Sequence, residues 1–147
     1  SGPGVHLLDI ANGETRVLVP AGLVQGISRV SPDGRYLPVT FRDRSRVLYP
    51  VEGGEPIPIS TLDPQDEFAS WSADSSSVYA FRGSRVPISV FRVDLATGRR
   101  EPWRDLIPAD TTGVLDIGPI CIAPDGAAHA YSFVRFLSDL FLVEGLA

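Results

Sequence analysis

The chain has 147 residues, of which 44% are hydrophobic and 21% are charged, and its formal net charge is −5. This composition is too apolar for a disordered chain and is enough for one globular domain. The acidic balance lacks the positive field that nucleic-acid binding uses, and no stretch approaches the roughly 20 apolar residues of a membrane span. We therefore expect neither a nucleic-acid partner nor a membrane-spanning segment.

One type of predicted β-hairpin occurs three times along the chain. Its turns contain Gly13, Gly54 and Gly98, which are 41 and 44 residues apart. The alternating apolar residues on both sides of each turn indicate short strands, and no window shows the periodicity of an amphipathic helix.

A second hairpin alternates with the first and turns at Asp33, Asp74 and Asp125, at spacings of 41 and 51 residues. Asp33 and Asp125 are each followed by glycine. A type I′ turn needs positive φ at both central residues, and Asp-Gly is favoured there because these residues tolerate it. The Asp74-Ser75 sequence is a weaker version of the same signal. The longer spacing is explained by an insertion at residues 105–113.

Two alternating turns with a common period of about 40 to 45 residues predict the four-stranded blades of a β-propeller. With strands named a to d from the axis outward, the chain reads c-d, a-b-c-d, a-b-c-d, a-b-c. The predicted fold is thus all-β, a single partial propeller of about three blades over residues 1–147. Its parts are a half blade at 5–19, blades at 24–60 and 66–104, and an incomplete blade at 117–147. A β-sandwich with regular hairpins is the alternative.

The last predicted strand, Ser138–Ala147, matches the strand that begins at Arg46, and the outer strand that should follow it is missing. An unpaired edge invites association, and a closed ring needs about four blades or more. We expect either that parent sequence outside this chain completes the ring, or that copies associate. A homodimer would supply about six blades, with the hairpin Val5–Val19 pairing with the open blade of its neighbour. The absence of methionine supports a fragment of a larger protein.

Proline and cysteine make local predictions. Pro38, Pro56 and Pro87 fall in predicted strands, and because proline cannot donate to a ladder, we expect them at edges, bulges or strand ends. Cys121 lies in an apolar run and is expected to be a buried thiol; a single cysteine forms no internal disulfide.

The sequence predicts no catalytic, metal-binding or cofactor-binding residues. His6 and His129 fall in different blades, and neither is near a nucleophile motif. The acidic stretch at 63–67 contains oxygen ligands, but a solvated loop is the better interpretation.

Arginines recur after the second strand of each predicted blade, at one edge. Guanidinium groups bind carboxylates and phosphates through paired hydrogen bonds. We therefore expect this edge to bind a protein partner or a small anionic ligand, although charges in exposed loops also pair with neighbours such as Asp43 and Asp139. The candidate residues are Arg42, Arg44, Arg46, Arg82, Arg85 and Arg135.

The segments Trp71-Ser72-Ala73-Asp74 and Ser31-Pro32-Asp33-Gly34 resemble the TolB-like, or PD40, propeller repeat, which is WD40-like. The ending at 138–146 is similar to the close of propellers fused behind bacterial receptor-type Ser/Thr kinases. The resemblance implies a propeller that senses or scaffolds, and an extracytoplasmic or periplasmic location, which the residues alone leave open.

The leading hypothesis is therefore a non-catalytic interaction or sensor module from a larger bacterial signalling protein. Two alternatives stay open. The first is the substrate-gating propeller of a prolyl-oligopeptidase-like hydrolase. The second is a fragment made for studying how propeller blades assemble.

Overall fold

The computed structural model describes residues 4–138, which form twelve β-strands and no helix. The strands belong to four antiparallel sheets, and within each sheet neighbours in the sequence are neighbours in space. The prediction of an all-β chain is confirmed. In the described part of the chain, nothing has the helical length and apolarity that crossing a membrane requires.

The four sheets follow one another along the chain. Sheet I contains β1 (Val5–Leu8) and β2 (Thr15–Val19). Sheet II contains β3 (Val24–Ile27), β4 (Tyr36–Phe41), β5 (Arg46–Pro50) and β6 (Ile57–Pro58). Sheet III contains β7 (Asp66–Trp71), β8 (Ser77–Arg82), β9 (Ile88–Asp94) and β10 (Arg100–Leu106). Sheet IV contains β11 (Val114–Ile122) and β12 (His129–Arg135). The predicted final strand, Ser138–Ala147, falls almost wholly outside the described residues.

The aspartate turns join the first strand of a sheet to the second. In sheet III, Ser72 Oγ donates to Asp74 Oδ1 at 2.6 Å and accepts a hydrogen bond from the backbone N–H of Ser77 at 3.0 Å. In sheet II, Ser31 makes the same two contacts, with Asp33 and Tyr36. A short polar side chain thus replaces ladder hydrogen bonds where each hairpin begins.

Hydrogen bonds also connect the aspartate turns of successive sheets. The N–H of Asp33 donates to Ser75 Oγ at 3.2 Å, which links sheets II and III. The N–H of Ala73 donates to the carbonyl of Pro124 at 2.9 Å, which links sheets III and IV. The three turns therefore lie in a row along one edge of the stacked sheets.

Each pair of consecutive sheets is joined by its own hydrophobic cluster. Strand β8 shows the pattern most clearly, because alternate side chains of a strand point to opposite faces. Val78 and Ala80 pack toward sheet II, whereas Tyr79 and Phe81 pack toward sheet IV. Val19 and Val24 belong to the cluster between sheets I and II. Full burial of one such aliphatic or aromatic side chain contributes roughly 1.5–3 kcal/mol, so these faces hold the sheets together.

Hydrogen bonds connect the first strand of sheet III with the first strand of sheet IV and with the residues that follow β3 in sheet II. Trp71 Nε1 donates to the carbonyl of Arg29 at 2.9 Å, and Ser70 Oγ donates to the carbonyl of Ile122 at 2.7 Å. The guanidinium of Arg29 reaches past the strand of sheet III to Cys121 Sγ, at 3.7 Å. Four antiparallel sheets that stack on one another with these contacts are consistent with a blade-like β fragment.

The proline predictions have different outcomes. Pro56 and Pro87 directly precede β6 and β9, at strand ends as expected. The prediction was wrong for Pro38, which lies inside β4, between two other strands. Its carbonyl still accepts from the N–H of Ser28 at 3.1 Å, but proline has no N–H to return the bond. Strand β3 therefore ends at Ile27, one residue before that pair.

The expected burial of Cys121 was also wrong, because its side chain is exposed. Ile120 and Ile122 are 5% and 4% exposed and pack against sheet III. Since side chains alternate along a strand, the residue between them points to the opposite face. A continuous apolar run concealed this alternation.

Candidate functional site

The strand ends opposite the aspartate turns carry all six predicted arginines. We call this the arginine edge and define it by the six candidate arginines together with the loops 59–65 and 107–113, which lead into sheets III and IV. The β4–β5 turn, the β8–β9 turn and the end of β12 all lie here, because antiparallel strands reverse direction at alternate edges.

Asp66 is the buried centre of this edge, with no exposed surface. Its Oδ1 accepts from Arg82 at 2.7 and 3.0 Å, and its Oδ2 accepts from Arg100 Nη2 at 2.6 Å. The N–H of Asp63 also donates to Oδ2, at 2.8 Å. Burial raises the pKa of Asp66, but the hydrogen bonds from Arg100 and Arg82 outweigh it and hold the pKa below 3.8. The carboxylate is charged and fully satisfied.

The arginine that ends the second strand pairs with an aspartate of the loop leading into the same sheet. In sheet III, Arg82 Nη2 lies 2.6 Å from Asp63 Oδ2. In sheet IV, Arg135 Nη1 lies 2.8 Å from Asp110 Oδ2, and Nη2 donates to the carbonyl of Asp110 at 2.6 Å. Arg82 and Arg135 therefore form ion pairs with carboxylates of the same chain.

Arg42 holds the matching position in sheet II, where the corresponding carboxylate is missing. The loop leading into this sheet is Pro-Ala-Gly-Leu, at residues 20–23. The backbone N–H of Arg42 donates to the carbonyl of Leu23 at 3.2 Å, so the loop is in place. Within residues 4–138, no carboxylate oxygen lies within 4 Å of the Arg42 guanidinium, and the same is true of Arg85. Both side chains are exposed.

Arg44 occupies a strained position in the β4–β5 turn. Its φ is +67°, in the left-handed region that non-glycine residues rarely adopt. Asp43 Oδ1 accepts from the N–H and the hydroxyl of Ser45, at 2.9 and 2.6 Å, and so fixes the turn. In the matching turn of sheet III, Gly83 takes the positive φ, +78°, without that cost.

Arg46 is partly buried. Its Nη1 donates to the carbonyl of Asp63 at 3.0 Å, and within the described residues no group accepts from its buried Nε. Burial lowers the pKa of Arg46; the charges of Asp66 and Glu67 oppose this effect, and that of Arg44 adds to it. Arg46 and Arg82 are thus brought together around Asp63, with Arg44 close enough to repel Arg46.

A cavity of about 340 Å³ separates sheets II and III at this edge. Arg44 and Arg46 lie on one side, and Glu67 and Gln65 come from the start of sheet III and the loop before it. The other lining residues are Gln25, Gly26, Ile27, Ser28, Pro38, Val39, Thr40, Pro64 and Phe68.

Sequence reasoning missed Arg100, which starts the outermost strand of sheet III and still reaches Asp66. The register pairs Arg100 with Val93 and Asp66 with Arg82, so residue spacing does not predict that the side chains of Arg100 and Asp66 meet. The two histidines lie in sheets I and IV, and the part of the chain that the structure describes contains no group of three or more side chains able to hold a metal ion.

No family model matches this chain, and no curated protein matches it.

Proposed function

We propose that this chain is a non-catalytic part of a β-propeller that binds an acidic partner through its arginine edge. The observation that carries the proposal is the contact among sheets II, III and IV, where Trp71 donates to the carbonyl of Arg29 and the Arg29 guanidinium reaches Cys121. Propellers commonly present binding residues in the loops at one edge of such an arrangement.

The ends of the sheet stack support a ring that continues beyond the described strands. Sheets I and IV have two strands each, so the described residues amount to three four-stranded units. Both end sheets expose apolar side chains: Leu8 and Val17 are 56% and 58% exposed, and Val134 is 58% exposed. A second copy, or parent sequence outside this chain, would cover them. Two copies give about six blades, which is within the range of closed propellers.

The repeated Ser-x-Asp turns support the resemblance to TolB-like propellers, because Ser72 and Asp74 make the same contacts as Ser31 and Asp33. On this resemblance we place the module in the extracytoplasmic part of a larger bacterial signalling protein, where it senses or scaffolds.

Arg42 and Arg85, which are exposed and have no carboxylate within 4 Å among residues 4–138, indicate the kind of partner. A guanidinium group binds a carboxylate through two parallel hydrogen bonds, so an acidic protein segment fits this edge. Arg82 and Arg135 are already used within the fold and contribute mainly by positioning the loops.

The binding proposal is tested with an immobilised peptide of consecutive glutamates. We expect salt-sensitive binding that falls by roughly tenfold in the double variant Arg42→Gln, Arg85→Gln, since each loses a charge-assisted contact. Arg99→Gln, on a turn at the opposite edge, is the matched control and should bind as the unmodified chain does. Equal binding by the double variant and the unmodified chain would show that the edge is not the site.

The assembly proposal is tested separately by native mass spectrometry and small-angle scattering. We expect a dimer, with compact dimensions, if copies complete the ring. A monomer that unfolds cooperatively would refute assembly by copies while leaving the binding result unaffected.

A further inference from the structure

The loop leading into sheet II lacks the carboxylate that the loops leading into sheets III and IV possess. Asp63 and Asp110 each neutralise the arginine at the end of the second strand in their own sheet, at 2.6 and 2.8 Å. The loop leading into sheet II has no acidic residue to do this for Arg42. Among residues 4–138, Arg42 is therefore without the internal carboxylate that Arg82 and Arg135 have.

The cavity beside this turn has the volume and the lining for a small molecule. At about 340 Å³ it falls at the small end of ligand pockets. Its walls combine apolar side chains, such as Ile27 and Phe68, with the hydroxyls of Ser28 and Thr40. These groups can hold a short carbon chain and orient a polar end.

The local charges leave one positive charge in excess. Five positive charges come from Arg42, Arg44, Arg46, Arg82 and Arg100, and four negative charges come from Asp43, Asp63, Asp66 and Glu67. Asp43 is also occupied with Ser45 in its own turn. Within residues 4–138 neither Arg44 nor Arg46 has a carboxylate within 4 Å. The two guanidinium groups also repel each other. A single anion placed between them would relieve that repulsion.

We propose that the cavity between sheets II and III binds a small monocarboxylate, which Arg44 and Arg46 hold at the β4–β5 turn; this rests on the proposed binding role of the arginine edge. Glu67, on the opposite wall, repels a second negative charge and so disfavours dicarboxylates and phosphate dianions.

The strained backbone of Arg44 supports a binding role for its side chain. A glycine at this position would adopt the positive φ without the steric cost of a side chain; in the β8–β9 turn the residue with positive φ is Gly83. An arginine here is unfavourable for the fold alone, and backbone strain of this kind is typical of functional positions. Arg44→Gly consequently removes the guanidinium without threatening folding.

The proposal is tested by titrating the ¹⁵N-labelled chain with three probes and following amide chemical shifts. Propionate represents a free acid, N-acetylglutamate α-amide represents an acidic side chain of a protein segment, and N-acetylglutamine α-amide is the uncharged control. We expect saturable shifts at the amides of Gly26, Thr40 and Glu67 with a carboxylate probe and none with the uncharged probe. Arg44→Gly should weaken the binding by roughly tenfold or more, whereas Arg85→Gln, at the neighbouring turn, should leave it within about twofold.

Tighter binding of propionate than of the glutamate derivative assigns the cavity to a free acid, as proposed, and the reverse order would transfer it to a protein segment. Absence of saturable shifts up to about 20 mM, or equal affinity in Arg44→Gly, overturns the proposal. The glutamate-peptide assay depends on Arg42 and Arg85, so it can succeed while this titration fails, and the two failures are distinguishable.

Discussion

Arg100 starts the outermost strand of sheet III, and its Nη2 lies 2.6 Å from Oδ2 of Asp66, the first residue of the innermost strand. The contact crosses the sheet diagonally, with the Arg100 guanidinium stacked 4.9 Å from the centre of the Phe91 ring. Because Arg82 holds the other oxygen of Asp66, this carboxylate connects three strands of one sheet. The arginine edge is therefore built on a buried ion pair.

We predict that Asp66→Asn lowers the free energy of unfolding by about 3 kcal/mol, because it leaves two guanidinium groups without their shared carboxylate. Urea unfolding followed by fluorescence measures the change. Asp63→Asn is the matched control: its side chain is 61% exposed, so its loss should be much smaller. Equal losses for the two variants would contradict a central role for Asp66.

The Asp66 carboxylate also makes the stability of the fold depend on pH. The folded-state pKa of Asp66 lies below the ordinary value of 3.8, so its stabilising contribution is complete above that pH and is lost as the pH falls through the folded value. We expect the melting temperature to fall below about pH 4, and the fall to be shallower in Asp66→Asn. Identical pH profiles for the two proteins would assign acid unfolding to other groups.

Asp74 provides a titration that can be followed at a single residue. Hydrogen bonds from the hydroxyls of Ser72 and Ser76 lower the pKa of Asp74 to about 2. We predict that carbon NMR of the side-chain carboxyl gives this value, and that Ser76→Ala raises it toward 3.8 by removing a contact of 2.8 Å. Ser60→Ala, in an exposed loop, should leave the value unchanged.

Much of the fold was predictable because both kinds of turn have characteristic residues in the local sequence. Asp33-Gly34 and Gly54 mark reversals by their backbone requirements, so strand order followed from their spacing. The face toward which each side chain points was harder to predict. Cys121 lies in an unbroken apolar run, so the residue types do not show which face of the strand is buried. The partners of the arginines depended on loops approaching from distant sequence, and the pairing of Arg135 with Asp110 was not foreseen.

The three aspartate turns differ at the residue after the aspartate, which allows a matched set of substitutions. Ser75 has φ +59°, where Gly34 and Gly126 have +76° and +71°. We expect Ser75→Gly to stabilise the protein by up to about 1 kcal/mol, because it relieves left-handed strain at the cost of one exposed hydrogen bond to Asp33. Equilibrium unfolding in urea measures it. A loss of stability would show that the link between sheets II and III outweighs the strain.

Replacing the turn glycines by alanine separates the cost of positive φ from the cost of a steric clash. A Cβ on Gly34 meets nothing within 4 Å, whereas one on Gly126 would lie 2.7 Å from the hydroxyl of Tyr79. Gly34→Ala should therefore cost roughly 1–2 kcal/mol from its positive φ alone, and Gly126→Ala should cost more. Similar losses in the two variants would mean that Tyr79 moves aside freely.

The exposure of Cys121 leads to a chemical prediction. Its side chain lies on the first strand of sheet IV, on the face opposite the buried Ile120 and Ile122. A thiol in that position should react with Ellman's reagent in the folded protein, one per chain, without the opening of the structure that a buried thiol requires. The comparison is the rate in native buffer against the rate in denaturing urea. Similar rates would agree with the alternation of buried and exposed side chains along β11. Strong protection in native buffer would show that Cys121 is buried between the first strands of neighbouring sheets.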